Sequence, residues 1–366
     1  MATAKKRAPS IKDVAREAGV SVTTVSRYLN GGPNLSEGRR KAIELAVKEL
    51  NYRPNIIARA LVSSEFRSIA VMATDISLYG SMQLIQGIEE AARVRKYLVT
   101  VTLVNDDDGE KKAKETVDQL IQNGPTGCIL IDLGNSSLLH AFIDYISKAL
   151  PTVIIDEADV HLHSGNLMLG AYEGGYQVTK YLLRLGHKTV FHVSIPKNDN
   201  KYSRSLGWRQ ALKDAGAEIP EPLACTWDPR KAEQIGKYLA SFPDVTAVFA
   251  GNDEVAAGVI RGILLEGKRV PEDISVAGFD GNPIGEVTVP SITTWQQNFQ
   301  TIGAAAVERL ADKPNQERGE SEESGAAGGH ALPHFAAEVN LHPDENSDDV
   351  PSRLIIREST ASPRVA

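Results

Sequence analysis

The chain has 366 residues, 42% hydrophobic and 24% charged, with a formal net charge of −7 at pH 7. That composition is of an ordinary globular protein, and the length calls for a small module plus one or two larger α/β lobes. No apolar run approaches the roughly 20 residues of a membrane span, and the opening MATAKKRAPS has basic residues with no apolar stretch behind them. Neither a membrane partner nor a signal peptide is therefore expected, and the cytoplasm is the expected compartment.

Net acidity argues against nucleic acid until the charge is mapped along the chain. Residues 1–66 hold twelve basic side chains against six acidic ones, a local charge of +6, which leaves −13 for the remainder. A basic head on an acidic body is the footprint of a protein that meets phosphate with one end only. In the head, Ile11, Val14, Ala15 and Ala18 form the stripe of a short amphipathic helix, and Gly19 stands where a C-cap does. Ser21 is an N-cap for a second helix, residues 22–30, with Val25, Tyr28 and Leu29 inward. Ser36 caps a third, residues 37–50, burying Ile43, Ala46, Val47 and Leu50. Pro54 restricts Arg53 and is expected to end it. Residues 56–62 suit about two further helical turns, marginal alone in water.

From Ser68 onward the texture becomes alternating: SIAVMATD (68–75), a helical 81–96, YLVTVTLVN (97–105), a helical 114–124, GCILIDL (127–133) and LPTVIID (150–156). KTVFHVS (188–194), TAVFAGN (246–252) and DISVAGFD (273–280) continue it. Such βα units imply parallel sheets covered by helices, and about 250 residues of them imply two similar lobes. Cys128 and Cys225 lie in apolar strand-like runs and read as buried free thiols. Residues 312–350 carry ten acids against two bases and read as a disordered or loosely held insertion. Its His330, His334 and His342 lack the spacing of a metal site, so no metal or cofactor is expected. No P-loop, GxGxxG, GxSxG or HExxH is present, so an enzyme is not expected.

The run IKDVAREAGVSVTTVSRYLN (11–30) closely resembles the head of the lactose-repressor/galactose-repressor family. LNYRPNIIARAL (50–61) resembles that family's hinge, and GHKTVFHV, GNDEVAAG, VPEDISVAGFD, PSITTWQQNF and LIIREST resemble its core blocks in order. The resemblance implies an α/β protein with a three-helix helix-turn-helix head (1–54), a hinge helix and linker (55–66) and a two-lobed periplasmic-binding-protein-like core (67–366). The N-lobe would comprise about 67–167 and 297–311, and the C-lobe about 168–294 and 351–366. It implies a cytoplasmic homodimer on a palindromic double-stranded DNA operator, governed by a small effector such as a sugar. A global carbon-catabolite regulator answering to a phosphocarrier protein is the rival reading, and a non-regulatory sugar-binding protein a more distant one.

On that resemblance the second helix enters the major groove. Arg27 can fork onto guanine, Thr23 can hydrogen-bond or pack, and Val22 can only pack on a methyl or sugar. Ser21, Thr24, Ser26 and Asn30 resemble phosphate-positioning residues, with Ile11 counted beside them. In the hinge, Leu61 resembles the wedge inserted into the minor groove, with Asn55 and Ala58 lining it. Matching the core blocks implies effector contacts at Asp75, Asp156, Arg204, Trp227, Asn252, Asp280 and Gln297, with Trp227 stacking and Asp280 at a strand end. One departure stands out: relatives carry Asp-Asn before a glycine pair, whereas this chain has Leu169-Gly170-Ala171-Tyr172-Glu173 before Gly174-Gly175. That removes a polar anchor.

Overall fold

The computed structural model describes residues 9–29, 35–53, 67–104, 107, 109–133, 137–156, 167–195, 203–226, 228–312 and 352–364. The chain divides into two compact units, 1–66 and 67–366.

The first unit holds α1 (Ile11–Glu17), α2 (Val22–Leu29) and α3 (Glu37–Glu49). The Asp13 carboxylate reaches back to accept from the Ser10 backbone N–H at 2.9 Å and its hydroxyl at 2.7 Å, which fixes the start of α1. Gly19 has φ +64 and open space where a Cβ would lie, so glycine is needed for conformation rather than room. The Val20 N–H closes the turn on the Ala15 carbonyl at 3.0 Å. Val14, Ala15, Val25, Ile43 and Ala46 form the core, with Tyr28, Leu29, Val47 and Leu50 packed around it. The end of α3 differs from expectation. Asn51 adopts φ +46 and the Tyr52 N–H bonds the Val47 carbonyl at 2.9 Å, so a left-handed asparagine stops the helix before Pro54 is reached. Pro54 and the hinge run after it lie outside the described residues.

The second unit is built from two sheets. In the N-lobe, β1 (Ser68–Ala73), β2 (Leu98–Leu103), β3 (Gly127–Asp132), β4 (Thr152–Asp156) and β5 (Leu167–Met168) run parallel in the order β2-β1-β3-β4-β5. β1 and β3 are buried throughout, which is why both read as unbroken apolar runs. α4 (Tyr79–Val94) covers one face; α5 (Gly109–Gln122) and α6 (Ser137–Ala149) cover the other. In the C-lobe the strands are β6 (Phe191–Ser194), β7 (Leu223–Ala224), β8 (Ala247–Ala250), β9 (Ser275–Asp280), β10 (Thr293–Gln296) and β11 (Arg353–Ile355). Their order is β11-β10-β9-β8-β6-β7, all parallel except β11. α7 (Ala171–Arg184) and α8 (Arg204–Asp214) cover one face, α9 (Pro229–Ala240) and α10 (Asp253–Leu265) the other, and the short α11 (Ile284–Val287) follows β9.

After β10 the chain returns to the N-lobe as α12 (Phe299–Asp312), whose Phe299, Ala306, Val307 and Leu310 pack in the core beneath α4. Asp312 is thus the last residue of a helix, not the start of the acidic stretch; 313–351 lie outside the described residues. Gly175, the second of the two adjacent glycines, has a packing role that it shares with Gly207. A Cβ on Gly175 would strike the Arg204 carbonyl, and one on Gly207 the Tyr172 carbonyl, so this pair lets α7 and α8 cross at backbone contact. Cys128 and Cys225 are buried and free, and burial pushes the Cys128 thiol up to about 12. Among the described residues no helix is long and apolar enough to cross a membrane.

Candidate nucleic-acid interface and ligand cleft

In the head, the Ser21 hydroxyl accepts the Thr24 N–H at 3.1 Å, a helix cap on α2. The same oxygen lies 2.7 Å from both Thr23 Oγ1 and Thr24 Oγ1. This places two of the expected phosphate-positioning hydroxyls in one chain with Thr23. Val22, Thr23 and Arg27 are exposed on α2, while Ser26 and Thr24 are half-buried. Ile11 is half-buried against the head's core, where its evident role is packing. On α3 the bases Arg39, Arg40 and Lys41 are exposed, with Arg40 held over the Tyr28 ring at 5.9 Å. Tyr28 in turn donates to Glu44 at 3.0 Å. Asn30, Asn55, Ala58 and Leu61 lie outside the described residues.

In the core, a cavity of about 180 Å³ opens where the strands of both sheets end. Its N-lobe wall is Ser77, Leu78, Tyr79, Gly80 and Leu133; its C-lobe wall includes Ile195, Arg204, Asn252, Glu254 and Asp280. These residues follow β1 and β3 in one lobe and β6, β8 and β9 in the other. The neighbours β1/β3 and β6/β8 are where strand order reverses, so the two crevices of an open parallel sheet face a common space.

The C-lobe wall is tightly held. Arg204 opens α8 with its side chain 2% exposed and donates Nη1 to the Gly251 carbonyl and, at 3.4 Å, to Asp280. Its guanidinium lies 4.2 Å from the centre of the Phe279 ring. Gln297 donates Nε2 to the same Asp280 oxygen at 2.9 Å. Asn252 caps α10 by accepting the Val255 N–H at 2.8 Å. Asp253, fully buried, accepts the Asn282 N–H at 2.6 Å and pins the turn after β9, where Asp280 has φ +92 and Gly281 φ +75. Burial raises the Asp280 carboxyl above its ordinary range despite Arg204 and Gln297. Burial also raises Glu254, helped by the charge of Asp280, and lifts Asp253 well above the usual carboxylate range.

Beneath Arg204 sits His192, stacked on Phe249 at 4.8 Å and near Trp208 at 5.2 Å. Its Nδ1 bonds the Phe249 carbonyl at 2.9 Å, and a carbonyl can only accept. Burial lowers its pKa to about 4, so the ring is neutral near pH 7 and Nε2 accepts from Ser205 at 2.8 Å. From the N-lobe, the Tyr79 phenol is raised by burial first and then by Asp280, Asp253 and Glu254, so it faces their charges.

Of the expected effector residues, Arg204, Asn252 and Asp280 line the cavity together and Gln297 is buried beside them. Asp75 and Asp156 are not in the lining. Asp75 accepts the Ser77 N–H at 2.7 Å and shapes the loop after β1. Asp156 ends β4, buried, opposite Asp132, and Asp132 bonds His140 at 2.6 Å, the main reason that His140's pKa is raised. Trp227 lies outside the described residues. Glu254, absent from the expectation, lines the cavity. Its sequence signal, an acidic residue one position after the helix's first, is the same one that merely complements a helix dipole.

A helix-turn-helix head carried with a two-lobed core around a small-molecule-sized cleft defines a ligand-responsive DNA-binding regulator. The comparisons agree with that class. Residues 10–55 match the model for bacterial regulatory proteins of the lacI family, and residues 179–325 match the periplasmic binding protein-like domain. Catabolite control protein A of Priestia megaterium is 30% identical over 84% of this chain and 93% of its own length. The HTH-type transcriptional repressor PurR of Pasteurella multocida is 30% identical over 96% of this chain and 99% of its own. Among solved structures, the lac repressor dimer bound to operator and the anti-inducer ONPF is 26% identical, with a TM-score of 0.73 over 83% of this chain and 92% of that one. The chain belongs to the LacI family and is a DNA-binding transcriptional regulator. These relatives are regulators rather than enzymes.

Proposed function

We propose that the protein represses transcription as a homodimer on a palindromic operator, with a small polyhydroxylated effector, a sugar or sugar derivative, setting its affinity for DNA. The head, 1–54, reads sequence through Val22, Thr23 and Arg27; the segment 55–66 reaches the minor groove with Leu61; the core from 67 binds the effector between its lobes. It works in the cytoplasm and catalyses no reaction. The observation that carries this reading is the exposed Val22–Thr23–Arg27 edge of α2 on a head of charge +6. The cleft with Arg204, Asn252 and Asp280 supports the effector half.

Electrophoretic mobility shifts with the operator test it. Arg27→Ala is expected to cost about 1–3 kcal/mol of specific binding, while salt-dependent nonspecific binding persists. Specific binding by a chain lacking 1–62 would sink the reading. Similarity to a catabolite control protein keeps a second reading in view, a carbon-catabolite regulator answering to a phosphocarrier protein. Titrating such a carrier beside sugars, with operator affinity as the readout, separates the two.

A further inference from the structure

Beside the reading edge of α2, three side chains of the head interlock. The exposed Arg40 guanidinium lies 5.9 Å from the centre of the Tyr28 ring, and the Tyr28 hydroxyl donates to Glu44 at 3.0 Å. Arg40 and Glu44 stand one turn apart on α3, a spacing at which an arginine and an acid can pair. Here they do not. Among the described residues Arg40 has no carboxylate within ion-pair distance, whereas Arg16 is paired with Asp13 at 2.7 Å and Lys41 with Glu37 at 3.2 Å. Of the head's residues outside the described ones, only Glu65, in the linker, is acidic. Glu44 holds the tyrosine instead, and the phenol keeps its proton near pH 7, its pKa raised by burial and then by the bond to Glu44. The result is a cation that no acid neutralises, resting on a ring of the reading helix.

Tyr28 follows Arg27 and so turns about 100° from it around α2, toward α3. A helix in the major groove has its flanks against the sugar-phosphate rims, so a cation held on this flank meets phosphate rather than base edges. We propose that Arg40 is a DNA-phosphate contact of the head and that Tyr28 and Glu44 are its positioning residues, holding the guanidinium beside the reading helix before DNA arrives. That assignment rests on α2 being the helix in the groove; it goes further in naming a contact outside the reading edge and the device that orients it. A long arginine loses rotamer freedom when it meets a phosphate, and one already resting on a ring loses less. By taking the phenol, Glu44 also leaves the arginine's charge uncancelled for the phosphate.

The test uses the full chain and two unrelated random-sequence duplexes of about 30 base pairs, with binding followed by fluorescence anisotropy between about 50 and 200 mM KCl. Arg40→Gln is expected to weaken binding about threefold or more at low salt, equally on both duplexes, and to reduce the slope of log K against log salt by about 1. Arg40→Lys should restore the slope, because the charge remains, but not the full affinity, because an ammonium stacks poorly on a ring. Lys48→Gln, the same charge change in the last turn of α3, is the control and should move the slope less than about half as far. Tyr28→Leu should weaken binding about twofold or more in the wild type and not at all in Arg40→Gln, a dependence that a merely structural contact between α2 and α3 would not show. If Tyr28→Leu unfolds the head, Tyr28→Phe serves: it keeps the ring but cuts the bond to Glu44, and its loss should likewise vanish in Arg40→Gln. An Arg40→Gln effect no larger than that of Lys48→Gln, or confined to one duplex, overturns the phosphate contact. A Tyr28 loss of equal size with and without Arg40 overturns the positioning role. Arg27→Gln, run alongside, separates the two levels. If it weakens binding while Arg40→Gln does not, only the Arg40 assignment falls; if neither does, α2 is not at the DNA and the reading of the head falls too.

Discussion

On the C-lobe side of the cleft the polar side chains are held largely by the protein itself. Arg204 is tied to Gly251 and Asp280, Asn252 to the start of α10, and Asp253 to the turn that presents Asp280. The N-lobe wall is Ser77 and Leu78, the start of α4 at Tyr79 and Gly80, and Leu133; Asp75 accepts the Ser77 N–H, and Tyr79 meets Phe299 edge-on, ring centres 6.0 Å apart. The contrast teaches that one lobe carries a preorganised set of charges, while the other supplies apolar and hydroxyl surface to complete the enclosure. A ligand would gain most of its directional contacts from the C-lobe, and its arrival could bias how the lobes close.

If that asymmetry is right, the largest effect comes from Arg204. Arg204→Met strands Asp280 in a buried setting and is expected to cost about 3–5 kcal/mol in urea unfolding, with effector binding abolished. Adding Asp280→Asn should return part of the stability. A loss under 1 kcal/mol would break the comparison at its strongest point.

Acid should act on the same wall. The folded pKa of His192, about 4, lies below its ordinary 6.5, so the unfolded chain takes up the proton first. Its contribution is fully present above pH 6.5 and is lost as pH falls toward 4, amounting to about 3 kcal/mol. The raised carboxyls of Asp253, Glu254 and Asp280 act in the opposite direction over this range, so the readout is the difference from His192→Gln: between pH 7 and 4 the wild-type urea midpoint should fall relative to that of the variant.

Next in size is Gly175→Ala, expected to cost about 1–3 kcal/mol by overpacking α7 on α8. Its effector affinity should fall too, because the obstructed atom is the Arg204 carbonyl. Smallest is Asp75→Ala, which removes a turn bond on the other wall and should change stability by only about 0.5 kcal/mol, with calorimetric affinity for the effector nearly unchanged. Complete loss of binding in a folded Asp75→Ala protein would show that the N-lobe wall is as demanding as its partner.

The head and the sheets were legible because their signals are local. The stripe Ile11, Val14, Ala15 and Ala18 has only one helical reading, and β1 and β3 are apolar runs as buried parallel strands must be. Arg204, Asn252 and Asp280 were reachable through the family blocks that surround them. Asp75 and Asp156 lie outside the cavity lining, and a carboxylate at a strand end looks the same in sequence whether it faces a ligand or, as Asp75 does, ties down its own loop. Glu254 was passed over for the converse reason: next to a helix start, an acid is explained without any ligand. At Asn51 the unread signal was conformational, a residue able to take a left-handed φ.

The crossing of α7 and α8 has a consequence for how such a sensor could be altered. Arg204 is located by Gly175, which leaves room for the Arg204 carbonyl, and by Gly207, which brings α8 onto the Tyr172 carbonyl of α7; neither glycine is in the cavity lining. The backbone position of the arginine is thus set by the helix crossing rather than by the apolar side chains of the cavity. Substitutions at Ile195, Leu78 or Leu133 can remodel what fits while the cation stays at its post. Re-tuning this receptor to a new small molecule is therefore a matter of changing upholstery on a fixed frame, and the two glycines are the joints to leave alone.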